Sequence, residues 1–320
     1  MSLTTGSRLV ALAIMLAGIA PAHAQYPART IRFIVPFAAG SATDSVARFI
    51  QSEFSAALGQ QVVIDNRPGA AGNLGAEIAA KAPADGYTVL MGNSSHAISM
   101  TLYSKLGFDL ARDFAPVTLL ATGSFTLTTH PSLPAKSVKE LVAFAKKRPG
   151  ALNVATSGAT IRLAAKLFDS MAGIRTTEVN YKGTPQVITA VISGEASVGF
   201  PGTSAAIPHV RTGKLRALAV TTPRRSSMAP DIPTVAESGI PGYDATTWYG
   251  LVTPAGTPKE IIARLHGAIV STLAHPAVKE RFAATDLEPN ASTPEEFAGY
   301  IKSEIAKWGK VIRTAGIKPD

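Results

Sequence analysis

The chain has 320 residues, no cysteine and a formal net charge of +9. Disulfides and thiolate metal sites are excluded, and the length suffices for one large or two medium domains held together by burial alone. The Lys and Arg residues are scattered rather than clustered, which argues against nucleic acid as a partner and for long-range attraction of small anions.

At the N-terminus, Arg8 precedes an apolar run from Leu9 to Ala20, and Ala22-His23-Ala24 follows. This is the tripartite layout of a secretory signal peptide over 1–24, with cleavage before Gln25. The run is shorter than the roughly 20 residues of a membrane span. Its removal leaves 296 residues (320 less 24) and, with Arg8 gone, a charge of +8. The expected product is soluble and exported.

The most informative stretch comes next. An apolar strand over 31–35 runs into Pro36-Phe37-Ala38-Ala39-Gly40, and Ser41 caps a helix over 43–58. Helix N-termini expose unpaired N–H groups and the positive end of the macrodipole, so they suit anions, and small side chains let a ligand approach. Ser41-Ala42-Thr43-Asp44 also fits a capping box, with Asp44 bonding back to the cap. Val46, Phe49, Ile50, Ala57 and Leu58 share the apolar helix face.

Strand-like and helix-like segments then alternate, the pattern of α/β folds with mainly parallel sheets. A strand over 61–65, a loop at Arg67-Pro68-Gly69-Ala70-Ala71-Gly72, a helix over 73–81 and strands over 88–92 and 113–121 complete a first cycle. A second begins with a strand over 125–129 and a helix capped by Ser137, where Glu140 completes a capping box. A strand over 152–156 enters the loop Ser157-Gly158-Ala159-Thr160 and a helix ending before Gly173, repeating the strand, small-residue loop and helix start of the first cycle. Tyr181-Lys182-Gly183-Thr184 opens another helix, and strands follow over 196–200 and 217–221. After an irregular stretch over 222–243, Thr234 and Glu237 cap a short turn. A strand over 248–252, a helix after Pro258 and a final helix over 293–314, capped by Thr293 with Glu296, end the chain.

Enzyme signatures are missing. Outside the leader, His96, His130, His209, His266 and His275 show no metal-ligand spacing. Gly92-Asn93-Ser94-Ser95-His96 resembles a nucleophile elbow, but His96 stands where the second glycine belongs. Ser94 and Ser95 read better as a polar strand-to-helix loop at the lip of a cleft. Gly69, Gly72 and Gly75 read as turn and packing glycines, and Trp248 and Trp308 as core.

These motifs together resemble the Bug family, the periplasmic solute-binding proteins of tripartite tricarboxylate transporters. The residues carrying the resemblance are Pro36-Phe37-Ala38-Ala39-Gly40 with Asp44, Asn66-Arg67-Pro68-Gly69-Ala70, Tyr181-Lys182-Gly183, the run Gly213-Lys214-Leu215-Arg216-Ala217-Leu218-Ala219-Val220, Pro233-Thr234 with Glu237 and Gly239, Trp248 with Gly250, and Pro254-Ala255-Gly256-Thr257-Pro258. Their joint order covers the chain from Tyr26 onward.

The resemblance implies a two-lobed α/β periplasmic binding protein of type II (Venus-flytrap) architecture with a ligand cleft between lobes. Lobe 1 is expected over 25–122 plus 246–320, and lobe 2 over 123–245. One carboxylate is expected at Phe37, Ala38, Ala39, Gly40, Ser41, Thr43 and Asp44, with Ser94 at the lip. Lobe 2 is expected to contribute Ser157, Gly158, Ala159 and Thr160, then Tyr181, Gly183 and Thr184, then Pro201, Gly202 and Thr203. Asp44 is expected to select ligand amines or order a water. The chain departs from the family where Ser41 replaces a second glycine, where the second loop is about two residues shorter, and where Arg162 stands for a histidine.

The expected function is capture of a small carboxylate, an organic acid or acidic amino acid, for a membrane permease by hinge closure. The expected protein is a monomer with no metal and no cofactor. Two alternatives stay open on the residues alone: a ligand-loaded sensor component for a membrane kinase, and a periplasmic hydrolase using Ser94, Ser95 or His96.

Overall fold

In Ile31-Arg32-Phe33-Ile34-Val35 the side chains alternate between two apolar layers. The computed structural model, which describes residues 26–319, builds this into strand β1 (Ile31–Val35), with Ile31, Phe33 and Val35 in one layer and Ile34 in the other. The predicted signal peptide lies outside the described residues. β1 pairs in parallel with β2 (Val62–Asn66) and β3 (Thr88–Asn93). β10 (Thr247–Pro254) lies antiparallel to β3, and β4 (Phe114–Gly123) antiparallel to β10. A short β11 (Glu288–Pro289) closes the edge, giving the order β11–β4–β10–β3–β1–β2.

The Phe33 layer is covered by α1 (Ala42–Leu58), α8 (Lys259–Ala274) and α9 (Pro276–Ala283). The Ile34 layer is covered by α2 (Asn73–Ala80), α3 (Ser94–Leu102) and α10 (Pro294–Thr314). Helix α10 begins with the predicted capping box, Thr293 and Glu296 bonding each other's backbone N–H, and buries Phe297, Ile301, Trp308 and Ile312. Two helices differ from expectation. The stretch read as a polar loop at Ser94 and Ser95 is the first turn of α3, capped by Asn93. It carries no apolar stripe because Ser94, His96, Ala97, Ile98 and Ser99 are all buried, so periodicity fails as a signal there. Helix α9 follows a 69° bend at His275-Pro276, where proline starts a new helix.

The second sheet contains β5 (Thr126–Thr129), β6 (Asn153–Ser157), β7 (Thr177–Tyr181), β8 (Val198–Gly199) and β9 (Arg216–Val220), in the order β7–β6–β8–β5–β9. Around it lie α4 (Val138–Lys147), α5 (Gly158–Ala172), α6 (Thr184–Ile192) and α7 (Thr203–Arg211). The expected loop from Ser157 to Thr160 is absent: β6 ends at Ser157 and α5 starts at Gly158, whose φ of +62° turns the chain within one residue. Glu140 also departs from its predicted box. Ser137 accepts from Glu140 N–H, but the Glu140 carboxylate reaches Lys136 N–H at 2.7 Å, one residue before the cap.

Two crossings join the sheets, Gly123–Phe125 out of β4 and 243–247 into β10. Thr221, fully buried, ties them together: its hydroxyl accepts from Phe125 N–H (2.9 Å) and donates to Ala245 C=O (3.0 Å). β10 enters the first sheet past Trp248, whose ring meets Phe297 edge-on at 5.6 Å. At Gly250 the pairing with β4 shifts register, and an added Cβ would lie inside the van der Waals envelope of the Phe297 ring. Gly250→Ala is therefore expected to cost about 1–3 kcal/mol by overpacking, read as a lower denaturant midpoint. Gly92→Ala on the neighbouring strand, whose nearest heavy atom would be 3.6 Å away, is the control expected to cost less.

Candidate functional site

Register decides which ends of the two sheets meet. Thr247 pairs with Gly123 and Tyr249 with Asn93, so β10 begins, and β3 and β4 end, along the same edge of the first sheet. In the second sheet β5 leaves the crossing at Thr126, and its partner β8 ends beside it. The parallel β6 and β7 end on that side too. The C-terminal edges of the parallel strands of both sheets therefore face each other across the crossings. In open α/β sheets, ligands bind outside those edges. The segments after β1, β3, β6, β7 and β8 all leave the sheets at those edges, and they hold every residue predicted to line the site.

The first segment is built around Asp44, which is 1% exposed. Its carboxylate accepts from Gly40 N–H (2.8 Å), Arg48 Nε (2.7 Å) and Asn66 Nδ2 (2.9 Å), and Asn66 also donates to Phe37 C=O (3.0 Å). Burial alone would raise the Asp44 carboxyl; these donors outweigh it and hold the group below the usual carboxylate range. Ser41 caps α1 as predicted, accepting from Asp44 N–H at 3.2 Å. The reciprocal bond predicted to the cap goes instead to Gly40, because the carboxylate is pulled toward Arg48 and Asn66. So engaged, Asp44 shapes the loop and has little capacity left for a ligand amine. Ala38, Ala39 and Gly40 stand exposed at the tip, and Gly40 takes a φ of +82° with open space around it.

Beneath this loop lies His96, fully buried. Its Nδ1 accepts from Asn93 N–H (3.1 Å), so Nε2 carries the proton and donates to Gly72 C=O (3.3 Å). Burial lowers its pKa to about 4, leaving it neutral at pH 7. Gly72, at a φ of +95°, packs against the Phe37 ring and His96, where a Cβ would come within 3.2 Å of both. The ring thus braces the site from below. Ser94 Oγ accepts from Trp248 N–H at 2.9 Å, tying α3 to the second crossing. Neither ring nitrogen of His96 is free to activate Ser94 or Ser95, which is the wrong geometry for a nucleophile and base.

Four of the remaining predicted residues line two cavities. Thr184 and Gly202 line a cavity of about 390 Å³ between the lobes, together with Ala42, Ser45 and Phe49 of α1, Phe125 at the crossing, and Thr247 and Tyr249 of β10. Gly158 and Ala159 line a separate hollow of about 320 Å³ with Arg162, Glu178 and Asn180, where Arg162 pairs with Glu178 at 3.0 Å. Several predicted hydroxyls are engaged elsewhere. Thr203, fully buried, bonds Ser124 Oγ (2.6 Å) and accepts from Thr126 Oγ1 (2.9 Å). Tyr181 donates to Glu195 (2.8 Å), and Thr43 accepts from Asn93 Nδ2 (3.2 Å). Pro201 gives its carbonyl to Thr126 N–H.

Sequence reasoning missed the cavity walls. Phe49 packs against the core on the apolar face of α1 as expected, edge-on to Phe282 at 5.5 Å, and its half-buried ring also borders the cavity. The signal was present as the spacing Ala42, Ser45, Phe49, a second helix face beside the Val46–Ile50 stripe. Among the described residues no group of three or more His, Cys, Asp or Glu is placed to hold a metal ion.

Two α/β lobes joined by two crossings, with their parallel-strand edges apposed, define a two-lobed solute-binding fold. Over residues 46–317 the chain matches the family described as the tripartite tricarboxylate transporter family receptor, TctC, and it belongs to that family. It is 36% identical over 324 residues to protein BugT of Bordetella pertussis, covering 99% of each. It is 36% identical, with a TM-score of 0.77, to R. palustris Rpa4515 solved with adipate, over 92% of this chain and 100% of that one. It is 32% identical, with a TM-score of 0.74, to MatC from Rhodopseudomonas palustris with bound malate, over 90% and 100%.

Proposed function

We propose that this chain is a periplasmic receptor that captures a small carboxylate between its lobes and presents it to a membrane permease. One observation carries the reading: the C-terminal edges of both parallel sheets face each other across the crossings, and the exposed backbone of Ala38, Ala39 and Gly40 and the starts of α5, α6 and α7 all follow strands that end at those edges. Backbone N–H groups at such turns hold an anion without a counter-charge. The relatives solved with adipate and malate support the same reading. The lobes divide at residues 123 and 245. A ligand bridging them stabilises the closed form through contacts that the open form lacks. Turnover plays no part in this reading, since His96 is committed to backbone on both nitrogens.

The test uses residues 25–320 in a thermal-shift screen against carboxylic and amino acids. A ligand specific to the folded state at 100 times its Kd adds about 2.7 kcal/mol, a shift of several degrees. Gly40→Val is expected to weaken the best hit at least tenfold while costing the unliganded protein about 1–3 kcal/mol, since the side chain meets open space but a β-branched residue is strained at that positive φ. A hit that Gly40→Val leaves unchanged overturns the placement. A panel in which no carboxylate shifts the midpoint overturns the receptor reading.

A further inference from the structure

The walls of the 390 Å³ interlobe cavity have a definite chemistry. Phe49, Phe125, Tyr249 and Leu287 supply apolar surface, Thr184, Ser204 and Thr247 are among the uncharged polar residues on the wall, and no Lys, Arg or His lines it. The one charged side chain on its wall is Asp286, 9% exposed. Asp286 Oδ2 accepts from Ser124 N–H (3.2 Å) and Ser124 Oγ (3.1 Å), both neutral, and no ion pair forms on it among the described residues. Asp286 also borders the adjoining cavity, where Arg224 stands with Asp244 and Glu288 as well.

We infer that this cavity takes the apolar body of a monocarboxylate and rejects a second carboxylate, with Asp286 as the discriminating residue. The inference rests on the carboxylate-receptor reading above and narrows it. A second carboxylate entering the cavity loses its water, finds no cation, and meets a carboxylate of like charge. A hydrocarbon chain or ring there gains burial against Phe49 and Tyr249 at no electrostatic cost. Asp286 is tied through Ser124 to Thr203 and so to the lobe crossing, which holds its charge in place whatever the ligand.

Two matched pairs test this by titration calorimetry: hexanoate against adipate, and benzoate against terephthalate. The monoacid is expected to bind at least tenfold tighter in at least one pair and to lose in neither. Asp286→Asn, whose amide oxygen still accepts from Ser124, is expected to raise diacid affinity threefold or more while leaving the monoacid within twofold. Phe49→Ala is expected to weaken the monoacid. Diacids that equal or beat their monoacids overturn the inference and leave the receptor reading standing. Should Asp286→Asn fail to fold, the wild-type pairs alone decide.

Discussion

Glu304→Ala is expected to destabilise the protein by about 3–5 kcal/mol, chiefly the cost of leaving two buried indole donors without an acceptor. Glu304 sits on α10 at 2% exposure, and its Oε2 accepts from both indoles of the molecule, Trp248 Nε1 at 3.1 Å and Trp308 Nε1 at 2.9 Å. Its other oxygen pairs with Lys307, which also reaches Asp244 at 3.3 Å on the second crossing. Burial raises the Glu304 carboxyl, and Lys307 with the Trp308 indole works against that rise. Alanine strands two buried indole donors and loosens Lys307, whereas Glu304→Gln keeps a carbonyl acceptor and is expected to cost about 1–2 kcal/mol. Because Trp248 opens β10, the lesion sits where the chain re-enters the first sheet. Guanidinium unfolding followed by tryptophan fluorescence measures both variants. An alanine variant within about 1 kcal/mol of wild type would show that the indoles find other acceptors.

The second large effect is a pH dependence centred on His96. Burial sets its folded pKa near 4, below the roughly 6.5 of an exposed histidine. The unfolded chain therefore binds this proton first as pH falls. The stabilisation is fully present above about pH 6.5 and is lost progressively as pH drops from 6.5 toward 4, to a total of about 3 kcal/mol. Protonating Nδ1 in the folded state would set its new hydrogen against Asn93 N–H and break the cap at the start of α3. His96→Gln cannot titrate, so its unfolding free energy is expected to fall less steeply between pH 7 and 4.5. Asp44, with its lowered carboxyl, adds a further loss only in more acid solution, as pH falls through its own folded value. Curves for wild type and His96→Gln that run parallel over pH 7 to 4.5 would refute the assignment.

Much of the architecture was readable along the chain because local physics repeated itself. Strands over 31–35 and 88–93 carry apolar runs ending in small or polar residues, and Ser41, Thr234 and Thr293 announce helix or turn starts by the cap they offer. The failures share a cause. Helix α3 is buried nearly all round and so shows no stripe, and nothing in the spacing of Phe49, correctly on the core face, shows that it also borders a cavity. The roles of His96 and Asp286 were invisible, since their partners are 24 residues away at Gly72 and 162 away at Ser124.

The sequence by itself determined an α/β chain and the capped start of its first helix at Ser41, because capping and periodicity are local matters. Only the tertiary structure decided which sheet edges are apposed, that the Asp44 carboxylate is bonded to Gly40, Arg48 and Asn66, and that Asp286 borders a cavity between the lobes. Sheet register and the two crossings place groups far apart in the chain within hydrogen-bonding distance, and no local pattern encodes which pairs will meet.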